Sequence, residues 1–160
     1  MNYVHDRVPN VVLAALLLGG VAVAQLKLSI PSSRFAVDEK IEAKVANTSK
    51  TPISYCMEYG QRSPLAGSTQ RTPMPFFVEQ RRRGVWQVLL IGPDVGSMRA
   101  PEALDSGASV AFPFRLNETG EMRLSLYYWV GERKDACDES AKGRKTAKSH
   151  AFTIIEDSDR

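Results

Sequence analysis

Beyond residue 25 the apolar side chains recur at every second position. Leu26, Leu28 and Ile30 alternate with Lys27 and Ser29, and Ile41, Ala43 and Val45 alternate with Lys40, Glu42 and Lys44. Each run predicts a strand with one face in a core and the other in water. A third strand, residues 53 to 59, follows the turn-rich stretch from Asn47 to Pro52 and places Ile53, Tyr55 and Met57 on one face with Cys56 on the other. Residues 76 to 80 and 85 to 91 flank Arg81, Arg82, Arg83 and Gly84, which predicts a hairpin whose glycine supplies a positive φ. In residues 110 to 116, Phe112, Phe114 and Leu116 share a face, and Pro113 puts the strand at an edge or a bulge. Gly120 ends a turn and opens the longest strand, 122 to 130, expected at the centre of its sheet. There Met122, Leu124, Leu126 and Tyr128 share one face, and Tyr127 and Trp129 the other. Phe152 and Ile154 mark a last strand after a polar connection over 131 to 149.

Two stretches break this rhythm. Residues 60 to 75 hold Gly60, Pro64, Gly67, Pro73 and Pro75, and residues 92 to 101 open on Gly92 and Pro93. Both read as long loops, and loops on a rigid scaffold often carry function. Nothing repeats, and no long amphipathic helix is present. Seven or eight short strands with one apolar face each predict an all-β fold: a single antiparallel immunoglobulin-like β-sandwich over residues 25–156, with 157–160 a disordered tail.

The N-terminal 24 residues follow a different rule. Arg7 precedes an apolar run over 11 to 23, and Ala22, Val23 and Ala24 stand before Gln25. This is the pattern of a cleaved signal peptide, residues 1–24, predicted to be helical. Read instead as a membrane anchor, residues 11 to 24 rise only about 21 Å as a helix, short of the ~30 Å hydrocarbon core. Gln25 stands where a lipoprotein would carry cysteine. The expectation is an exported protein, periplasmic or secreted, with no stable membrane anchor after cleavage.

Export changes how the remaining residues are read. The 21 basic and 18 acidic residues give a net charge of +3, too mild for a polycation, and nucleic acid is not an expected partner. Cys56 and Cys137 both lie beyond the leader, and an even count in an oxidising compartment predicts one disulfide; two separate buried thiols are the alternative.

Several of these residues together resemble a known family. Asn47, Thr48 and Ser49 with Pro52 before an apolar strand, Tyr59, Gly60 and Gln61 after it, Phe77 and Val78, Gly84, Val85 and Trp86, the turn at Leu104, Asp105, Ser106 and Gly107, and Gly120 before a long strand occur in this order. Over residues 35 to 130 the order resembles bacterial immunoglobulin-like domains, and among them the BsuPI-type intracellular proteinase inhibitor domain. The resemblance implies a small β-sandwich and, as an alternative function, protease inhibition through a surface loop. The chain departs from that family in its leader, its cysteine pair and its insertions at 62 to 75 and 92 to 101.

Candidate chemistry is sparse. His150 is the one histidine beyond the leader, and it stands among Lys145, Lys148 and Ser149 without a phosphate-loop, HExxH or GxSxG motif elsewhere. Asp135, Asp138 and Glu139 lack the alternating ligands and fixed glycine of a calcium loop, so no metal or other cofactor is expected. Two basic clusters, Arg81 to Arg83 and Lys142, Arg144, Lys145 and Lys148, suit an acidic protein surface or an anionic envelope component, or else only protect edges and keep the domain soluble. Tyr127, Trp129 and Trp86 lie under a loop or form a platform for peptide or glycan. The function expected is a non-catalytic binding or structural module, an enzyme being the remotest reading. Its candidate contacts are Arg62, Arg71, Arg81, Arg82, Arg83, Asp94 and Arg99.

Overall fold

The computed structural model describes residues 25–59, 73–89 and 98–156. The leader 1–24, most of both long loops with Arg62, Arg71 and Asp94, and the tail 157–160 lie outside the described residues.

The alternating segments form strands β1 (Leu26–Ser29), β3 (Ile41–Asn47), β4 (Ile53–Tyr59), β5 (Phe77–Arg82), β6 (Val85–Val88), β8 (Ser109–Phe114), β9 (Gly120–Val130) and β11 (Phe152–Ile155). Three more appear where no clear period two exists: β2 (Arg34–Ala36), β7 (Met98–Leu104) and β10 (Lys145–Lys148). The described residues thus hold eleven strands rather than seven or eight. β7 replaces part of the irregular stretch expected over 92 to 101. Its Pro101 is tolerated because β7 is the last strand of its sheet, where a missing amide donor costs least. β10 replaces part of the polar connection over 131 to 149: only Ala147 of its four residues is buried, so it has no apolar period to read.

One sheet has the order β1-β3-β8, and the other the order β2-β11-β9-β4-β7 with β10 and β5 also on β9 and β6 on β5. Placing β1, β3 and β8 against β4, β9 and β11 reproduces the immunoglobulin-like division of strands between two layers. Ile41, Ala43, Val45, Phe112 and Phe114 meet Ile53, Tyr55, Leu124, Leu126 and Phe152 in one core. The expectation of a purely antiparallel sandwich needs one correction. β2 and β11 pair in parallel, Ile154 opposite Phe35, because the chain leaves β1 in one sheet and, after four intervening residues, joins the edge of the other.

β9 is longer than any neighbour, so each of its sides is shared. On one side β10 pairs Lys148 with Ser125, and β11 then pairs Phe152 with Met122, so three residues, 149 to 151, span two on β9. This is a β-bulge. Ser149 holds it closed: its amide donates to the Leu124 carbonyl at 3.0 Å, and its Oγ accepts the Leu124 amide at 2.9 Å. On the other side β4 pairs only Ile53 to Tyr55 with Val130 to Tyr128, after which β5 takes over, Phe77 opposite Ser125. The sheet therefore forks: beyond Tyr55, β4 runs on with β7 while β5 stays with β9.

Candidate functional site

The fork opens a cavity of about 430 Å³ on the outer face of the larger sheet. Met74 fastens its far side to β4: the Glu58 amide donates to the Met74 carbonyl at 3.1 Å, and the Met74 amide donates back at 3.2 Å. The next residues then point in opposite senses. Phe76 is buried in the core, edge-on to Phe112 and Phe114 at 6.1 and 5.4 Å between ring centroids. Phe77 turns outward and meets the Tyr127 ring at 5.0 Å. Tyr127 and Trp129 come from the outer face of β9, and Trp129 is only 3% exposed.

The remaining wall is the segment after β9. Gly131 donates its amide to the Pro52 carbonyl at 2.7 Å, Ser54 Oγ donates to the Gly131 carbonyl at 2.9 Å, and the Arg133 amide donates to Ser54 Oγ at 2.8 Å. Further along, Ala136 is buried, and a disulfide joins Cys137 to Cys56 with 4.8 Å between Cα atoms. This bond ties β4 to the segment after β9 on the outside of the sheet, unlike the inter-sheet bond of antibody domains. Arg133 grips Asp135 at 2.7 and 2.6 Å and holds its carboxyl below the ordinary range. Ser140 does the same for Asp138, donating its amide and its hydroxyl, both at 2.8 Å.

Charge lies at the rim. Arg99 reaches Glu58 at 3.8 Å and Glu139 at 3.6 Å. The guanidinium carbon of Arg144 lies 4.3 Å from the Tyr127 ring centroid, a cation–π contact. Arg144 has no ion pair among the described residues. Trp129, in the wall, carries the one buried side-chain polar atom of the described residues that lacks a hydrogen-bond partner, its Nε1.

Of the residues singled out from sequence, Cys56, Cys137 and Arg99 come together here, and Arg144 of the second basic cluster joins them. Arg81, Arg82 and Arg83 do not line the cavity. Arg81 and Arg82 pair with Glu121 and Glu118 at 3.4 and 3.8 Å, and Arg83 sits in the hairpin turn. Phe77 and Met74 gave no functional signal beyond apolar character. His150 lies on the bulge with Nε2 3.3 Å from the Ser32 carbonyl, outside the cavity lining. Among the described residues no group of three or more His, Cys, Asp or Glu side chains could hold a metal ion.

A second outward cluster sits on β5, β6 and β9. Arg123 donates to Glu79 at 2.6 and 3.2 Å, Ser125 Oγ donates to the same carboxylate at 2.6 Å, and the Arg123 guanidinium carbon stands 4.2 Å from the Trp86 ring centroid. The Arg123 bonds and then the Ser125 bond hold the Glu79 carboxyl below its usual value, against the opposing effect of burial. Trp86 is thus stacked under a cation and is no open platform.

No family model matches the chain, and no curated protein matches it. Solved structures give remote likenesses. One is the protein of "AvmM Catalyzes Macrocyclization in Alchivemycin A Biosynthesis", 13% identical over 82% of this chain and 88% of that one, with a TM-score of 0.34. Another is the ASH / PapD-like domain of human CEP192 (PapD-like domain 7), 10% identical over 82% of this chain and 86% of that one, with a TM-score of 0.32. Superpositions this loose carry no argument about a site. Strand order and the fork themselves define an immunoglobulin-like β-sandwich module with an outer-face cavity.

Proposed function

We propose that this is an exported, non-catalytic binding module whose ligand seats in the cavity at the sheet fork. One observation carries the reading: a concave site, walled by Phe77, Tyr127 and Trp129 and rimmed by charges of both signs, on a sheet face that would otherwise be a plain pleated surface. Ligand sites are characteristically concave and mostly apolar, with a few polar groups that fix orientation. Export is supported by the leader-like sequence of residues 1–24 and by two cysteines placed for a disulfide.

The test is capture from envelope extracts on the immobilised exported protein, in parallel with a Phe77→Ala/Tyr127→Ala variant of unchanged melting temperature. A partner retained by the wild type and lost from the variant is the expected result. Equal retention by both would remove the cavity from the proposal, and no specific retention at any salt concentration would remove binding itself.

A further inference from the structure

We propose that the fork cavity takes an acidic peptide segment, with an aromatic or large aliphatic side chain against Phe77 and Tyr127 and an adjacent carboxylate on Arg144; this rests on the fork being the ligand site. Size and lining come first. A cavity of about 430 Å³ lies within the common range for ligand sites, and Met74, Pro75 and the three rings give it apolar walls. Trp129 is nearly enclosed and backs the cavity rather than meeting a ligand. Tyr127 stays 39% exposed with Arg144 over one face, so a ligand side chain can meet its remaining surface and Phe77 beside it.

The rim charges choose among apolar ligands. Arg99 is already shared between Glu58 and Glu139. Arg144 has no carboxylate among the described residues, and its stacking on Tyr127 orders the guanidinium without neutralising it. A planar guanidinium held in this way matches a carboxylate bidentately, and being ordered beforehand it loses less entropy on binding. Lys142, two residues before it and exposed, raises the local positive potential, whereas Lys145 faces the other side of the sheet with its ammonium on Gln25 at 2.6 Å. Asp138 and Glu139 also line the rim and disfavour an uninterrupted acidic run. The preferred segment is therefore one carboxylate beside one large apolar residue.

Capped hexapeptides test this, with one Glu next to one Phe between glycines so that the side-chain carboxylate is the only one. Their affinity for the full exported protein is compared with that of the Gln-for-Glu and Ala-for-Phe peptides. The Glu–Phe peptide should bind about tenfold tighter than either relative. Arg144→Gln should abolish the Glu-over-Gln preference while leaving the melting temperature in place. Equal affinity for the Glu and Gln peptides, or a preference that survives Arg144→Gln, would overturn the inference. If no peptide binds while the envelope partner is still lost on Phe77→Ala/Tyr127→Ala, the ligand class is wrong and the site stands. Peptide binding and envelope capture that both ignore those substitutions would overturn the site as well.

Discussion

Asn47 shows how much one side chain holds in this protein. It is 1% exposed; its Nδ2 donates toward the carbonyls of Thr51, Leu104 and Asp105 at 2.9, 2.9 and 3.0 Å, and its Oδ1 accepts the amide and hydroxyl of Ser49. One residue thus ties the end of β3 to the turns on either side of the core. Removing it takes the buried donor from the Leu104 carbonyl and breaks the part-buried bonds to Thr51 and Asp105, so Asn47→Ala should cost about 2–3 kcal/mol, read as a lower urea midpoint at unchanged slope. Asn47, Thr48 and Ser49 also match the N-glycosylation pattern, which the same burial closes once the chain is folded. Glu79 makes a pH-dependent contribution instead. Its folded pKa lies below the ordinary 4.5, chiefly through Arg123 and then Ser125. Its stabilisation is complete above the unfolded carboxylate pKa and fades as pH falls through that value toward the folded one. Glu79→Gln should therefore lower stability at pH 7 and flatten the acid side of the stability–pH curve. An acid limb identical to wild type would show that the Arg123 pair contributes nothing.

Among the elements, the β5–β6 hairpin follows directly from its turn chemistry. Arg83 and Gly84 have φ of 52° and 81°, the two positive values of a type I′ turn, and a Cβ on Gly84 would meet no atom within 4 Å. Any penalty at Gly84 is therefore conformational: Gly84→Ala should cost about 1 kcal/mol, and Arg83→Asn should gain about 0.5 kcal/mol, melting shifts of opposite sign. The turn was legible because glycine follows a polar run between two strand patterns. So was every strand with a clear alternation, since burial of one face imposes it. β2 is too short to show a period. β10 buries only Ala147, and the proline in β7 resembles a loop signal until its edge position is known. For the site, the paired cysteines were legible from their even number beside a leader-like N-terminal sequence. The fork was not, because it depends on where β4 stops and β5 starts along β9, a long-range register that no local pattern encodes. The Cys56–Cys137 bond stiffens this region: it spans 81 positions, so reduction should lower stability by about 4–5 kcal/mol in the chain-entropy model. Denaturant titrations with and without a dithiol reductant measure it.

For the molecule as a whole, the question is how an open sandwich avoids pairing with its own copies. Among the described residues its two layers end in edges with no further strand, and two of them, β7 and β8, are consecutive strands joined through the turn at 105–108. Each carries a proline, Pro101 opposite Cys56 and Pro113 opposite Glu42. A strand added at either edge would find one amide donor fewer and a rigid ring in the ladder, which blunts edge-to-edge association. The net charge of +3 adds only weak repulsion between copies, so the prolines carry most of this protection. Replacing both with threonine, a good strand former, removes the block without changing the core, because Pro113 is exposed and Pro101 stands on an exposed edge. Pro101→Thr/Pro113→Thr should keep the fold by circular dichroism yet sediment as larger species with rising concentration, while the wild type changes little over the same range. Matching sedimentation of the two proteins would place the protection elsewhere, in the short β2 edge or the charged side chains of the outer strands.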